Sequence, residues 1–203
     1  MRRGYRGKRF GCWSRGHNKA WNQTKLLRYI TGRGGSGTGG LSDYLRELSD
    51  DFDVLPIDPE FLLQDLEHQI DAVRRFVQLD GGNIIANSYG AYLLLQTFVD
   101  QPPLKIRVLL LSPVLGRAFS KERMLFSRPP REATLRKAIA QKRLGIPQYL
   151  KIVTGQEDEI CDPERAREVA MQLAIDISVL EQEGHMISPC KVSNIVEEFL
   201  SGH

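Results

Sequence analysis

The stretch Asn83-Ile-Ile-Ala-Asn-Ser88-Tyr-Gly90-Ala-Tyr-Leu-Leu-Leu-Gln96 joins a short apolar strand, Ile84 to Ala86, to an apolar helix that carries Ala91, Leu93, Leu94 and Leu95. Ser88 stands at the corner between them, with Ala86 two residues before it and Gly90 two residues after. A serine on so sharp a strand-to-helix turn has its hydroxyl lifted clear of the sheet edge, and the helix aims its first N–H groups at the same point. Both flanks must be small because a bulky side chain would collide with the strand or the helix start. Such a small-x-Ser-x-Gly corner is either a nucleophile elbow, here with Ala86 in place of the first glycine, or a serine capping a core helix. A base, an acid to orient it and an oxyanion site elsewhere in the chain would decide between them.

The 203 residues suit one domain with a sizeable core. A composition of 41% apolar and 26% charged residues is that of a globular protein. No apolar run approaches the length of a membrane span, and the basic N-terminus is not followed by the apolar segment of a secretory signal. Three scattered cysteines, Cys12, Cys161 and Cys190, argue against a disulfide framework and for a reducing, cytoplasmic compartment. The histidines His17, His68, His185 and His203 have no metal-ligand spacing among themselves or with the cysteines, so no metal and no cofactor is expected.

The net charge of +3 conceals a split. Residues 1–42 carry ten Lys or Arg and no acid, leaving 18 basic against 25 acidic residues, a net charge of −7, in the remainder. Residues 1–24 contain Arg-Gly pairs with Trp13 and Trp21 but no helical or strand period, which reads as a flexible basic arm. Nucleic-acid contact through such an arm is the weaker expectation; the main domain is expected over 25–203.

Apolar runs at Leu26–Ile30, Phe52–Ile57, Ile84–Ala86, Ile106–Leu111, Tyr149–Thr154 and Ile177–Leu180 read as strands. Helical patterns fall between them at Leu41–Leu48, Glu60–Leu79, Pro163–Leu173 and Pro189–Leu200. This alternation predicts an α/β fold of three layers: a mostly parallel sheet of about six strands with helices on both faces. The segment 116–148, with nine basic residues and two acids between 116 and 143, is expected to insert a short helix and a small cap.

Two loops at the carboxyl ends of the late strands supply partners for Ser88, because open α/β sheets bind ligands there. One is Gly155-Gln-Glu-Asp158-Glu-Ile-Cys-Asp162-Pro163, and the other is Glu181-Gln-Glu-Gly184-His185-Met186. Their chain order, Ser, Asp, His, suits an imidazole that takes the serine proton and a carboxylate that fixes the imidazole's tautomer. Asp162 precedes Pro163 and has a ready role as a helix N-cap, whereas Asp158 has none. Asp158 is therefore the expected acid, with Asp162 in reserve. Gly32-Arg-Gly-Gly-Ser-Gly37 follows the first strand and matches G-x-G-x-x-G, with Asp51, Asp53 and Asp58 near where a ribose-binding acid would fall. The same loop could instead donate an oxyanion N–H from Arg33, beside one from Tyr89.

On Thr31-Gly-Arg-Gly-Gly, Ala86-Asn-Ser-Tyr-Gly, Gly155-Gln-Glu-Asp and Gly184-His-Met, the chain resembles the α/β-hydrolase superfamily over about residues 26–200. It is most similar to the small, nearly lidless serine hydrolases of the retinoblastoma-binding-protein-9-like group. That resemblance implies strand order 4-3-5-6-7-8 in the family's labelling, with the two N-terminal antiparallel strands reduced or absent. It also implies an esterase or thioesterase acting on a small-molecule ester, with Ser88 as nucleophile, His185 as base, Asp158 as acid, and Arg33 and Tyr89 as oxyanion donors. Thr31 departs from the histidine that many members carry before the oxyanion glycine. Two rival expectations remain: a dinucleotide-dependent oxidoreductase using the Gly32–Gly37 loop, and a hydrolase-fold binding protein whose triad is idle.

Overall fold

The apolar strands pair into a single six-stranded parallel sheet in the computed structural model, which describes residues 26–77, 81–120 and 125–202. The basic arm lies outside the described residues. In chain order the elements are β1 (Leu27–Arg33), α1 (Gly40–Leu48), β2 (Phe52–Ile57), a 3₁₀ turn (Phe61–Leu63), α2 (Leu66–Val77), β3 (Asn83–Asn87) and α3 (Ser88–Thr97). They continue with β4 (Leu104–Leu111), β5 (Ala118–Ser120), β6 (Leu125–Ser127), α4 (Glu132–Ala140), β7 (Pro147–Gly155), α5 (Pro163–Leu173), β8 (Asp176–Leu180) and α6 (Pro189–Ser201). The sheet order is β2-β1-β3-β4-β7-β8, the order expected from the resemblance, and no antiparallel strand joins it among the described residues.

Side chains alternate across this sheet and feed two cores. Tyr29, Ile85, Leu109 and Val153 face α1 and α6, where Leu45, Val196 and Phe199 meet them. Ile30, Ile84, Val108, Leu110 and Ile152 face the other way, onto α2, α3, α4 and α5. Every residue of α3 is buried, so its burial is decided by position under the sheet rather than by amphipathic pattern. Leu93, Leu94 and Leu95 are fully buried and contribute about 1.5–3 kcal/mol each. That anchorage offsets the backbone strain at the corner from which the helix starts.

Three local differences from the sequence expectations have clear causes. The helix expected over 60–79 is split, because Gln64 is extended and Asp65 caps a new start by accepting the His68 N–H at 3.0 Å. Leu62 and Leu66 are four residues apart and mimic one continuous face across this break; the far end, at 78–80, is outside the described residues. β1 runs on to Arg33 past an irregularity after Ile30, where Thr31 Oγ1 accepts the Ile57 N–H at 2.8 Å in place of a ladder carbonyl. Between β4 and β7 stands an antiparallel hairpin, β5–β6, that no period in the sequence announces. α4 then buries Leu135, Ala138 and Ile139 in the larger core.

Candidate active site

Ser88 sits where β3 ends and α3 begins, and its φ of 51° lies in the left-handed region. A non-glycine residue there carries about 1–3 kcal/mol of strain, which persists only where packing fixes the backbone. The packing is tight on both sides. A Cβ at Gly90 would stand 2.2 Å from the Thr31 carbonyl oxygen and 2.7 Å from Ile30 Cγ2, so only glycine fits. A Cβ at Gly32 would stand 3.2 Å from Ser88 Cβ, which puts the end of β1 directly beside the corner.

The hydroxyl of Ser88 lies 3.1 Å from His185 Nε2. On the far side of the ring, His185 Nδ1 is 3.1 Å and 3.0 Å from the two carboxylate oxygens of Asp158. An ionised carboxylate only accepts, so Nδ1 carries the proton and Nε2 is left with a lone pair toward the Ser88 hydroxyl. The Asp158 carboxyl is fully buried and His185 is 14% exposed. Asp158 Oδ1 also accepts the N–H groups of Ile160 (2.9 Å) and Cys161 (2.8 Å), so the turn following it holds the carboxylate in place.

Asp162 does not join this group. It is exposed and caps α5, accepting the Glu164 N–H at 3.0 Å, with Pro163 in the first helical turn. Tyr89 follows Ser88 in the chain, and Arg33 follows Gly32, which lies beside the corner. The Arg33 guanidinium lies 5.9 Å from the Tyr89 ring centroid. The ring is buried rather than lining an open mouth: it stacks on Tyr92, and its hydroxyl donates to Gln69 Oε1 at 3.0 Å. Burial raises the Tyr89 phenol above its ordinary range, with the Arg33 charge opposing. The glycine loop does not build a dinucleotide-binding turn. α1 starts only at Gly40, so no residue of Gly32–Gly37 lies in its first turn, and Asp58 is engaged with the Phe61 N–H at 2.8 Å.

Several contributors lie outside the motifs. Ser112 Oγ donates to the His185 carbonyl at 3.2 Å. Buried Glu183 accepts from the Ser188 N–H (2.7 Å), the Ser188 hydroxyl (2.8 Å) and Lys191 (3.1 Å), which folds the His185 loop back onto the start of α6. Burial opposes ionisation of Glu183, but the two Ser188 donors and Lys191 overcome it and hold its pKa below the ordinary value. The acid and histidine loops are joined by Gln156 N–H to the Leu180 carbonyl and Glu157 N–H to the Glu183 carbonyl, each 2.9 Å.

Cys161 is also present, 3% exposed, in the turn that follows Asp158. Burial pushes its thiol up, as does the Asp158 charge, while Ser88 pulls it back in part. Its position three residues past Asp158 was the available sequence signal. A carboxylate that accepts the N–H of the third residue on turns that residue back toward itself.

The parallel sheet, the strained serine corner and the position of the two late loops define an α/β-hydrolase fold. The serine hydrolase family's sequence profile matches residues 57–191, well over half of the chain, and the protein belongs to that family. No curated protein sequence matches significantly. Among solved structures, the ydeN gene product of B. subtilis superposes with a TM-score of 0.61 at 17% identity, covering 88% of this chain and all of that one. A carboxylesterase of the thaumarchaeon Nitrososphaera gargenis gives 0.58 at 15% identity, over 91% of this chain and 92% of the other. The esterase RhEst1 of Rhodococcus sp. ECU1013 gives 0.59 at 12% identity, over 88% and 91%. Likenesses at such identity are likenesses of fold. No helix among the described residues is long and apolar enough to cross a membrane.

Proposed function

We propose that this serine hydrolase is a carboxylesterase or thioesterase of small acyl esters, working through a Ser88–His185–Asp158 triad and an acyl-enzyme. One observation carries the reading: an unbroken relay from the Ser88 hydroxyl through both ring nitrogens of His185 to the buried Asp158 carboxylate, with contacts of 3.0–3.1 Å. In the first half-reaction His185 Nε2 takes the Ser88 proton as Oγ attacks the substrate carbonyl, then passes that proton to the leaving alkoxide or thiolate. Asp158 stabilises the imidazolium and keeps Nδ1 protonated. Water then repeats the sequence on the acyl-enzyme and releases the acid. The oxyanion of each tetrahedral intermediate would be held by the N–H groups of Arg33 and Tyr89, of which one such donor is worth about 10²–10³ in rate. Tyr89 is the second residue of α3, so the helix N-terminus reinforces that donor.

A fluorophosphonate probe should label the wild type at Ser88, and p-nitrophenyl esters of graded chain length should be cleaved. Both should vanish in Ser88→Ala. Absence of labelling in the wild type, or equal labelling of Ser88→Ala, would overturn the proposal in favour of an idle triad.

A further inference from the structure

We propose that Asp158, Cys161 and His185 form a binding site for a borderline-soft divalent cation, zinc in the first instance. Building on the triad assignment, we propose that the bound cation holds the hydrolase inactive. A carboxylate oxygen, the thiol sulfur and a ring nitrogen of these residues all lie within 4.8 Å of one another. Zinc bonds to such donors are about 2.0–2.3 Å, so a tetrahedral site places its donors about 3.3–3.8 Å apart. The observed separations exceed that spacing by at most about 1–1.5 Å.

The scaffold for this site is already fixed. Asp158 and Cys161 come from a single turn tied by the Cys161 N–H to Asp158 Oδ1 bond at 2.8 Å. His185 comes from the neighbouring loop, which the Glu157 N–H to Glu183 carbonyl bond fastens to that turn. The donor set is one sulfur, one imidazole nitrogen and one carboxylate oxygen. Hard cations such as magnesium and calcium prefer all-oxygen ligands and are disfavoured here. Thiolate and carboxylate together balance the dication. Burial of Asp158 and Cys161 strengthens that attraction by excluding water. A water or the Ser88 hydroxyl, 3.1 Å from His185 Nε2, completes the fourth position.

Binding involves no change of oxidation state. The Cys161 thiol releases one proton to solvent, and its electron pair, with those of the carboxylate oxygen and the ring nitrogen, goes to the cation. The relay is broken whichever nitrogen is taken. A cation on Nε2 occupies the lone pair that would receive the Ser88 proton. A cation on Nδ1 displaces the N–H held by Asp158 and leaves the proton on Nε2, where it cannot act as base.

Cobalt titration of the full chain tests the site independently of hydrolysis. Cobalt bound through Cys161 gives a thiolate charge-transfer band together with strong visible bands of a tetrahedral ion, and zinc removes both by competition. The bands should disappear in Cys161→Ser and in Cys161→Val, each checked for folding by circular dichroism. Zinc should also block fluorophosphonate labelling of Ser88, and a chelator should restore it. The zinc concentration for half-inhibition, measured against each variant's own metal-free rate, should rise by about 100-fold or more in the Cys161 variants. Magnesium at equal concentration should do nothing. A thiolate band that is absent, or that persists without Cys161, overturns the site. Zinc bound with labelling unchanged overturns the inhibition. If the metal-free protein is not labelled at all, the hydrolase assignment fails, while the cobalt bands still decide the site.

Discussion

Two regions flank Ser88 at the carboxyl edge of the sheet, and they are held in different ways. On one side, residues 34–40 are exposed or half-exposed, and Gly34, Gly39 and Gly40 take positive φ with no atom within 4 Å of where a Cβ would lie. Only its start is tied to the sheet, by the Gly34 N–H to the Ile57 carbonyl at 2.7 Å. Beyond that the loop is held by its own neighbours, such as Ser36 Oγ to the Thr38 carbonyl, and by α1, through Ser42 Oγ to the Ser36 carbonyl and Arg46 to the Gly37 carbonyl. On the other side, the loops after β7 and β8 are buried at Asp158 and Glu183 and bonded to each other. A Cβ at Gly155 would stand 2.2 Å from the Glu183 carbonyl and 2.4 Å from that of Gly184. The side that would move protons is over-determined; the side that would meet the substrate oxygen relies on glycine freedom. A relay of two hydrogen bonds tolerates little misalignment, while a backbone donor next to a variable substrate gains from yielding.

The largest expected effect lies on the rigid side. Asp158→Asn should lower kcat/KM for a p-nitrophenyl ester by about 10³–10⁴-fold, since an amide can stabilise the wrong imidazole tautomer. Asp162→Ala should leave kcat/KM nearly unchanged while costing about 0.5–2 kcal/mol of stability in urea melts through the lost helix cap. The reverse pattern would transfer the acid role to Asp162.

Next, Gly155→Ala should cost about 2–3 kcal/mol, because its methyl group meets backbone rather than a movable side chain, and kcat should fall with it as the His185 loop is pushed away. Gly40→Ala, at φ 52° in open space, should cost only about 1–2 kcal/mol of backbone strain with kcat retained. Equal losses of kcat at both positions would erase the contrast between the two sides.

Ser112→Ala removes the donor to the His185 carbonyl and should cost about 1 kcal/mol, with kcat reduced by up to about tenfold and KM little changed. The smallest effect is pH-dependent. The folded pKa of Glu183 lies below its unfolded value, so ionised Glu183 stabilises the fold above the unfolded pKa, and this stabilisation is lost as pH falls through the folded one. Wild type should therefore exceed Glu183→Gln by about 1 kcal/mol at neutral pH, and the difference should shrink as the pH is lowered below the ordinary glutamate range. A difference constant with pH would mean that Glu183 acts by packing alone.

The same contrast explains what was legible in the residues. β2 and α5 have the bounds that the sequence predicts, because each carries local signals: an apolar run in β2, and Asp162-Pro163 at the start of α5. Ser88, Asp158 and His185 could be chosen because each follows a strand, and parallel strands bring such loops to one edge. The wiring around them was not legible. Ser112 and His185 are 73 residues apart, and the partnership depends on β4 lying between β3 and β7. Glu183 looks like one of several loop acids until Ser188 and Lys191 fold back onto it. Cys161 reads as one of three scattered cysteines until its turn is built. The β5–β6 hairpin, with three residues per strand, is too short to show a period.

The nucleophile is best tested by trapping it. When the protein is mixed with a short-chain p-nitrophenyl ester, quenched in acid and digested, mass spectrometry should find one acyl group on the peptide containing Ser88. The adduct should build up within the first turnover and be absent from Ser88→Ala. An acyl group on the Cys161 peptide instead, or steady turnover with no adduct on Ser88, would contradict the account.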